Sequence, residues 1–230
     1  MFRETITHAG GTTEGTASET HAVTLLVRAA RRQYAMEATP AGGALITWTR
    51  HVFGPGGNSL VLVDRSIRLD PMTPVGNLTD TVREDLSLVD GDPRARYDLV
   101  KGRRVITGTL WQVPPFPTAG LRARRLVVED RGRVRLTLTA RLGLLAHAHR
   151  TTTTAPRGWY HPSAYESAGL NRPGRRAGLL RDSTSAAVCS CLELSAVGGD
   201  REHARRLALD HRRAVTAEFV ADRLAVPVNA

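Results

Sequence analysis

Two cysteines one residue apart, Cys189 and Cys191, precede two histidines, His203 and His211. Thiolate sulfur and imidazole nitrogen are ligands of tetrahedral zinc, and a hairpin giving two cysteines to a helix giving two histidines is the donor plan of a zinc finger. The spacing fits that plan poorly. Fingers set about two to four residues between the cysteines and about three to five between the histidines; here there are one and seven. At about 100° per residue, His203 and His211 stand some 80° apart around a helix. The expectation is therefore two small buried thiols on a strand, where both would point the same way, with solvent-facing histidines. Zinc on Cys189, Cys191, His203 and His211 is the alternative. A disulfide between such close cysteines would be strained. His147, His149 and Arg150, in "HAHR", fall at the end of an expected helix, where cationic side chains complement the dipole.

Other chemistry is sparse. The sequence has no phosphate-cradling glycine loop, no helix-borne metal motif and no nucleophile elbow. "FGPGGNS" (53–59) is glycine-rich but joins two strands, so it reads as a hairpin loop. The expectation is a protein that is not an enzyme, without catalytic residues and without an obligatory cofactor.

Charge points elsewhere. The 230 residues carry a net charge of +10, and of the 32 basic side chains only Lys101 is a lysine. A GC-rich genome raises arginine content, but should spread it evenly. Residues 1–101 carry 11 basic and 12 acidic side chains, a net −1; residues 102–150 carry 10 and 2, a net +8; residues 151–230 carry 11 and 8, a net +3. A concentrated basic segment is what a phosphate-binding surface needs. Aromatic residues are only 5% of the chain, which argues against a single-strand binder built on stacked rings. The chain offers no apolar run long enough for a membrane helix. Its first residues lack the apolar centre of a signal peptide, so a cytoplasmic protein is expected.

The elements that would position these groups follow from periodicity. The fold class expected is α+β, in small modules. Residues 1–19, rich in Thr, Gly and Glu, read as a disordered tail. An α-β-β-β unit follows at 20–72, with a helix capped by Thr20, a hairpin turning at Pro40–Gly43, and the strand "SLVLVDRSIRL". Within a second unit at 75–150, helix 79–90 starts at Thr79 or Asp80, buries Val82, Leu86 and Val89, and ends at Gly91. Thr118 would cap a short helix over 119–125; strands 126–129 and 134–138 flank "DRGR"; a helix starts at Thr139. Residues 151–178 read as a linker or arm. A β-β-α unit at 179–225 closes the chain, with strands near "AGLLRD" and "AAVCSCLEL" and a long helix beginning at Asp200.

The stretch "LRARRLVVEDRGRVRLTLTARLGLLAHA" (121–148) resembles the winged helix-turn-helix regulators: a helix ending in "RRLV", a charged wing, then "RLTLTARLGLL" leading into the last helix. The resemblance covers about 30 residues well. It implies a recognition helix presenting Arg122, Arg124 and Arg125 to a major groove, and a wing presenting Arg131, Arg133 and Arg135 to phosphates or the minor groove. "QVPPFPTAG" departs from the family, since three prolines in four positions cannot lie inside a helix. Arg172, Arg175 and Arg176 in "NRPGRR" could track a phosphate backbone from an arm. The function expected is that of a double-stranded-DNA-binding regulator or architectural factor, carried by this basic segment and by no single motif; a mobile-element origin fits the mixture of small modules. A homodimer is the usual way to read a palindromic site, and Leu207, Ala214, Val215, Phe219 and Val220 on the last helix could pair or could cover their own sheet. The alternative is a non-enzymatic protein-interaction or structural protein whose basic charge is incidental.

Overall fold

In "FRETITH", Phe2, Glu4 and Ile6 alternate with Arg3, Thr5 and Thr7, and threonine and isoleucine favour extended backbone. The segment forms strand β1 (Phe2–His8), paired with β2 (Gly11–Ala17) in an antiparallel hairpin. This corrects the expectation of a disordered tail over 1–19. A low apolar content is sufficient here because only Phe2, Ile6 and Ala17 need to face the core. The structure, a computed structural model, describes residues 1–53, 59–76, 78–154, 185–197 and 201–225. Its architecture is mixed α+β, with five α-helices and several small antiparallel sheets among these residues.

The chain divides into two units, residues 1–148 with 213–230, and residues 149–212. In the first, α1 (Glu19–Arg31) is followed by β3 (Ala35–Ala38), β4 (Ala44–Phe53) and β5 (Ser59–Pro71), the expected α-β-β-β order. β1 and β2 complete a five-stranded sheet in the order β2-β1-β5-β4-β3. The cap of α1 is Ser18 rather than Thr20: its Oγ accepts from the His21 N–H at 3.1 Å. The buried stripe is Ala22, Leu26 and Ala29, and it packs on Phe2, Met36, Ile46 and Leu69. Phe219 and Val220, at the end of the last helix, join this same core. Thr216 fixes that helix by accepting the Ala38 N–H at 3.1 Å.

A second core in this unit gathers α2 (Asp80–Gly91), with Leu86 and Val89 buried as expected. Around it lie β6 (Arg96–Val100), β7 (Arg103–Thr107), β8 (Gln112–Val113), α3 (Pro115–Ala123), β9 (Val127–Asp130), β10 (Arg133–Leu136) and α4 (Leu138–Ala148). Asp92 locks the exit of α2: its carboxylate accepts the N–H groups of Arg94 (2.8 Å) and Thr109 (2.7 Å). Those amides hold it below the usual carboxylate range.

The second unit contains β11 (Thr151–Thr154), β12 (Ala186–Cys189), β13 (Ser195–Val197) and the first part of α5 (Arg201–Phe219). "AAVCSCLEL" is not one strand. It turns after Cys189, with the Leu192 N–H donating to Cys189 O (3.0 Å) and the Cys189 N–H to Leu194 O (2.9 Å). Among the described residues its buried core is Ala187, Ala204 and Ala208, flanked by Leu194 and Leu207. The "AGLLRD" strand, the cap Asp200 and most of the 151–178 segment lie outside the described residues.

Candidate functional site

Helix α3 begins on the prolines that were expected to exclude it. Pro115 and Pro117 occupy its first turn, where an N–H has no intrahelical partner to lose, and Pro114 stands at the N-cap. Thr118 is therefore not a cap. It is buried within the helix, where its hydroxyl donates to Val113 O at 3.1 Å. The helix also ends earlier than 125. The Leu126 N–H donates to Leu121 O (2.9 Å) and the Arg125 N–H to Arg122 O (2.9 Å), a Schellman closure with Arg125 in the left-handed conformation, φ 54°. Of the three arginines assigned to a recognition helix, only Arg122 lies inside it. Arg124 sits at the C-cap, its guanidinium donating to Val75 O. Arg125 stands exposed in the closing turn.

The hairpin around "DRGR" forms as expected. β9 and β10 pair with Arg133 opposite Asp130 and Arg135 opposite Val128. Val127, Val134 and Leu136 face the core, so Arg133 and Arg135 share the outer face. Arg135 pairs with Asp130 at 3.6 Å. The tip is the two-residue turn Arg131-Gly132, with φ 51° and 75°. β6 and β7 form a second hairpin with the same kind of tip, Lys101-Gly102, φ 50° and 71°. Two positive φ values are the signature of the tight turn that matches strand twist. Between α2 and α3 the described chain is β6, β7 and β8, where a helix-turn-helix would place its first helix.

The two hairpins and α3 meet at Tyr97 on β6. Arg104 lies over its ring at 3.9 Å and Arg122 at 5.5 Å, while Arg104 also pairs with Glu129 of β9 at 2.5 Å. Burial pushes the Tyr97 hydroxyl up, partly offset by these two cations. Residues 94–136 hold eleven basic and three acidic side chains. Two of the three anions, Glu129 and Asp130, are already paired. Lys101, Arg125, Arg131 and Arg133 are exposed and form no ion pair with a described residue. Arg172, Arg175 and Arg176 lie outside the described residues.

A different constellation stands in the second unit. His149, Cys189, Cys191 and His211 each offer one ligand atom, and the four atoms lie within 4.8 Å of one another. Cys191 Sγ and His211 Nε2 are 3.3 Å apart, and the rings of His149 and His211 are 5.5 Å apart between centroids. The elements explain the convergence. Cys189 ends β12, and the turn brings Cys191 back beside it. On α5 the inward stripe is Ala204, Ala208 and His211, at intervals of four and three, while His203 falls off that stripe and is exposed. His203 does not belong to the cluster. Its place is taken by His149, which lies between the end of α4 and the start of β11. The thiol of Cys191 is pushed up by burial and then by the Cys189 thiol beside it, against backbone N–H groups of Glu193 and Leu194 that favour the thiolate. Sequence reasoning read His149 as a cation at a helix end and did not join it to the cysteines, because it stands 40 residues before Cys189; the pairing of β11 with β12, Thr151 opposite Cys189, brings it there.

Comparison with protein-family models, with curated proteins and with solved structures gave no match.

Proposed function

We propose that the protein binds double-stranded DNA, as a regulator or architectural factor, through the surface made by the end of α3 and the two basic hairpins. One observation carries this reading. Lys101, Arg125 and Arg131 occupy left-handed backbone positions that glycine or asparagine would fill with less strain, and all three are exposed, with no carboxylate partner among the described residues. Local folding does not call for a cation at such a position. A polyanion meeting the surface does.

The absence of a helix between α2 and α3 shifts the weight from base reading to backbone contact. Phosphate contacts fix register and supply salt-dependent affinity without sequence information. Arg122 on α3 and Arg133 on β10 would add groove contacts.

The test is fluorescence anisotropy of the full chain on labelled duplex DNA over a salt series. Expected is a steep loss of affinity with salt, the slope falling by about one for each phosphate-contacting cation removed. Equal affinity and slope for the Lys101→Ala, Arg125→Ala and Arg131→Ala variants would overturn the reading. A second reading, a protein-contact module, draws on Leu110 and Phe116, which flank β8 and are 95% and 91% exposed. It predicts salt-insensitive binding to a protein and none to DNA.

A further inference from the structure

We propose that His149, Cys189, Cys191 and His211 bind one zinc ion in a closed, structural N2S2 site. The inference is independent of DNA binding.

The donor set is chemically specific. Two thiolates balance the charge of a divalent cation, and two imidazoles complete a borderline-soft shell that zinc prefers and magnesium and calcium do not. The geometry agrees. With zinc–sulfur bonds of about 2.3 Å and zinc–nitrogen bonds of about 2.0–2.1 Å, tetrahedral donors stand about 3.3–3.8 Å apart. The Cys191–His211 separation is 3.3 Å, and no ligand atom lies more than 4.8 Å from another, so small side-chain rotations suffice. Cys189 is buried and the other three are half-buried. Four protein ligands leave no position for substrate, so the site is structural and not catalytic.

The surroundings are built to hold the ligands. The Ser190 N–H donates to Arg150 O (3.1 Å) and the Arg150 N–H to Ser190 Oγ (3.0 Å), which ties the residue after His149 to the residue between the cysteines. Arg212, next to His211, donates to Thr151 Oγ1. The ion would also add to the stability of the unit, whose described buried core is three alanines with two flanking leucines, because the binding free energy of a structural metal is folding free energy. Zinc would join β11, the β12–β13 turn and α5 at one point.

The experiment uses the full chain, purified from cells grown with added zinc, then analysed for metal and titrated with cobalt(II) after chelation. Expected are about one equivalent of zinc and, with cobalt, tetrahedral ligand-field bands with thiolate-to-metal charge transfer. Cys191→Ser and His149→Ala should lose both signals. His203→Ala and His147→Ala should keep them. Where a ligand variant fails to fold, chelation of the wild-type chain provides the second measurement: it should lower the thermal midpoint, and zinc should restore it. Less than about a tenth of an equivalent with no charge-transfer band, or loss of the signal in His203→Ala with its retention in His149→Ala, would overturn the proposal.

Discussion

Arg125 is a side chain on which folding and binding make opposite demands. It closes α3 at φ 54°, where glycine carries no steric penalty. Arg125→Gly is expected to leave the fold as stable or to raise its stability by about 0.5–1 kcal/mol in denaturant unfolding, and to weaken DNA binding in the same protein. A variant that binds less because it unfolds would show the reverse pattern. Asp85 gives a second test at this scale. One of its carboxylate oxygens is buried without a hydrogen-bond partner, and burial, then the charge of Glu84, push its pKa up. A carboxyl raised in the folded state stabilises most below its unfolded pKa and loses that contribution as pH rises through the folded value. Asp85→Asn should therefore raise stability in urea at about pH 7 and change nothing at about pH 3, below the carboxylate range.

At the scale of elements, the turn between β3 and β4 is a closely packed junction. The Gly42 N–H donates to Thr39 O (2.9 Å), and a Cβ on Gly42 would meet the Thr139 carbonyl and the Val75 side chain while the backbone sits at φ 84°. Gly42→Ala should cost more than about 2 kcal/mol, read as a fall in thermal midpoint. That hairpin, α2 and the β9–β10 hairpin were legible because each carries local signals: Pro40–Gly43, Thr79 with Leu86 and Val89, and the charged "DRGR" turn between two apolar runs. α3 was misplaced because prolines read as breakers until one asks which turn they occupy. The two hairpin tips look alike in structure, and neither Lys101-Gly102 nor Arg131-Gly132 has the Asn-Gly or Asp-Gly sequence that announces such a turn. The metal ligands were half legible. Cys189, Cys191 and His211 stand within 23 residues, whereas His149 comes from a strand pairing that no local pattern encodes.

For the whole molecule, the charge distribution separates what the surface does from what the core needs. The +8 over residues 102–150 coincides with the second core of the first unit, while the five-stranded sheet is built from the nearly neutral residues before it. Binding variants on the hairpins should leave that sheet intact, with circular dichroism unchanged. The first seventeen residues have a corresponding consequence for that sheet. β1 lies between β2 and β5, pairing Phe2 with Pro71 through His8 with Arg65, and Phe2 is 1% exposed. A shortened chain starting at Ser18, the trimming that its composition invites, would leave β5 with a bare flank of unpaired amides and a vacated aromatic socket. Such a protein should self-associate, scattering light at concentrations where the full chain stays clear, and those amides of residues 65–70 that point toward β1 should exchange with solvent far faster.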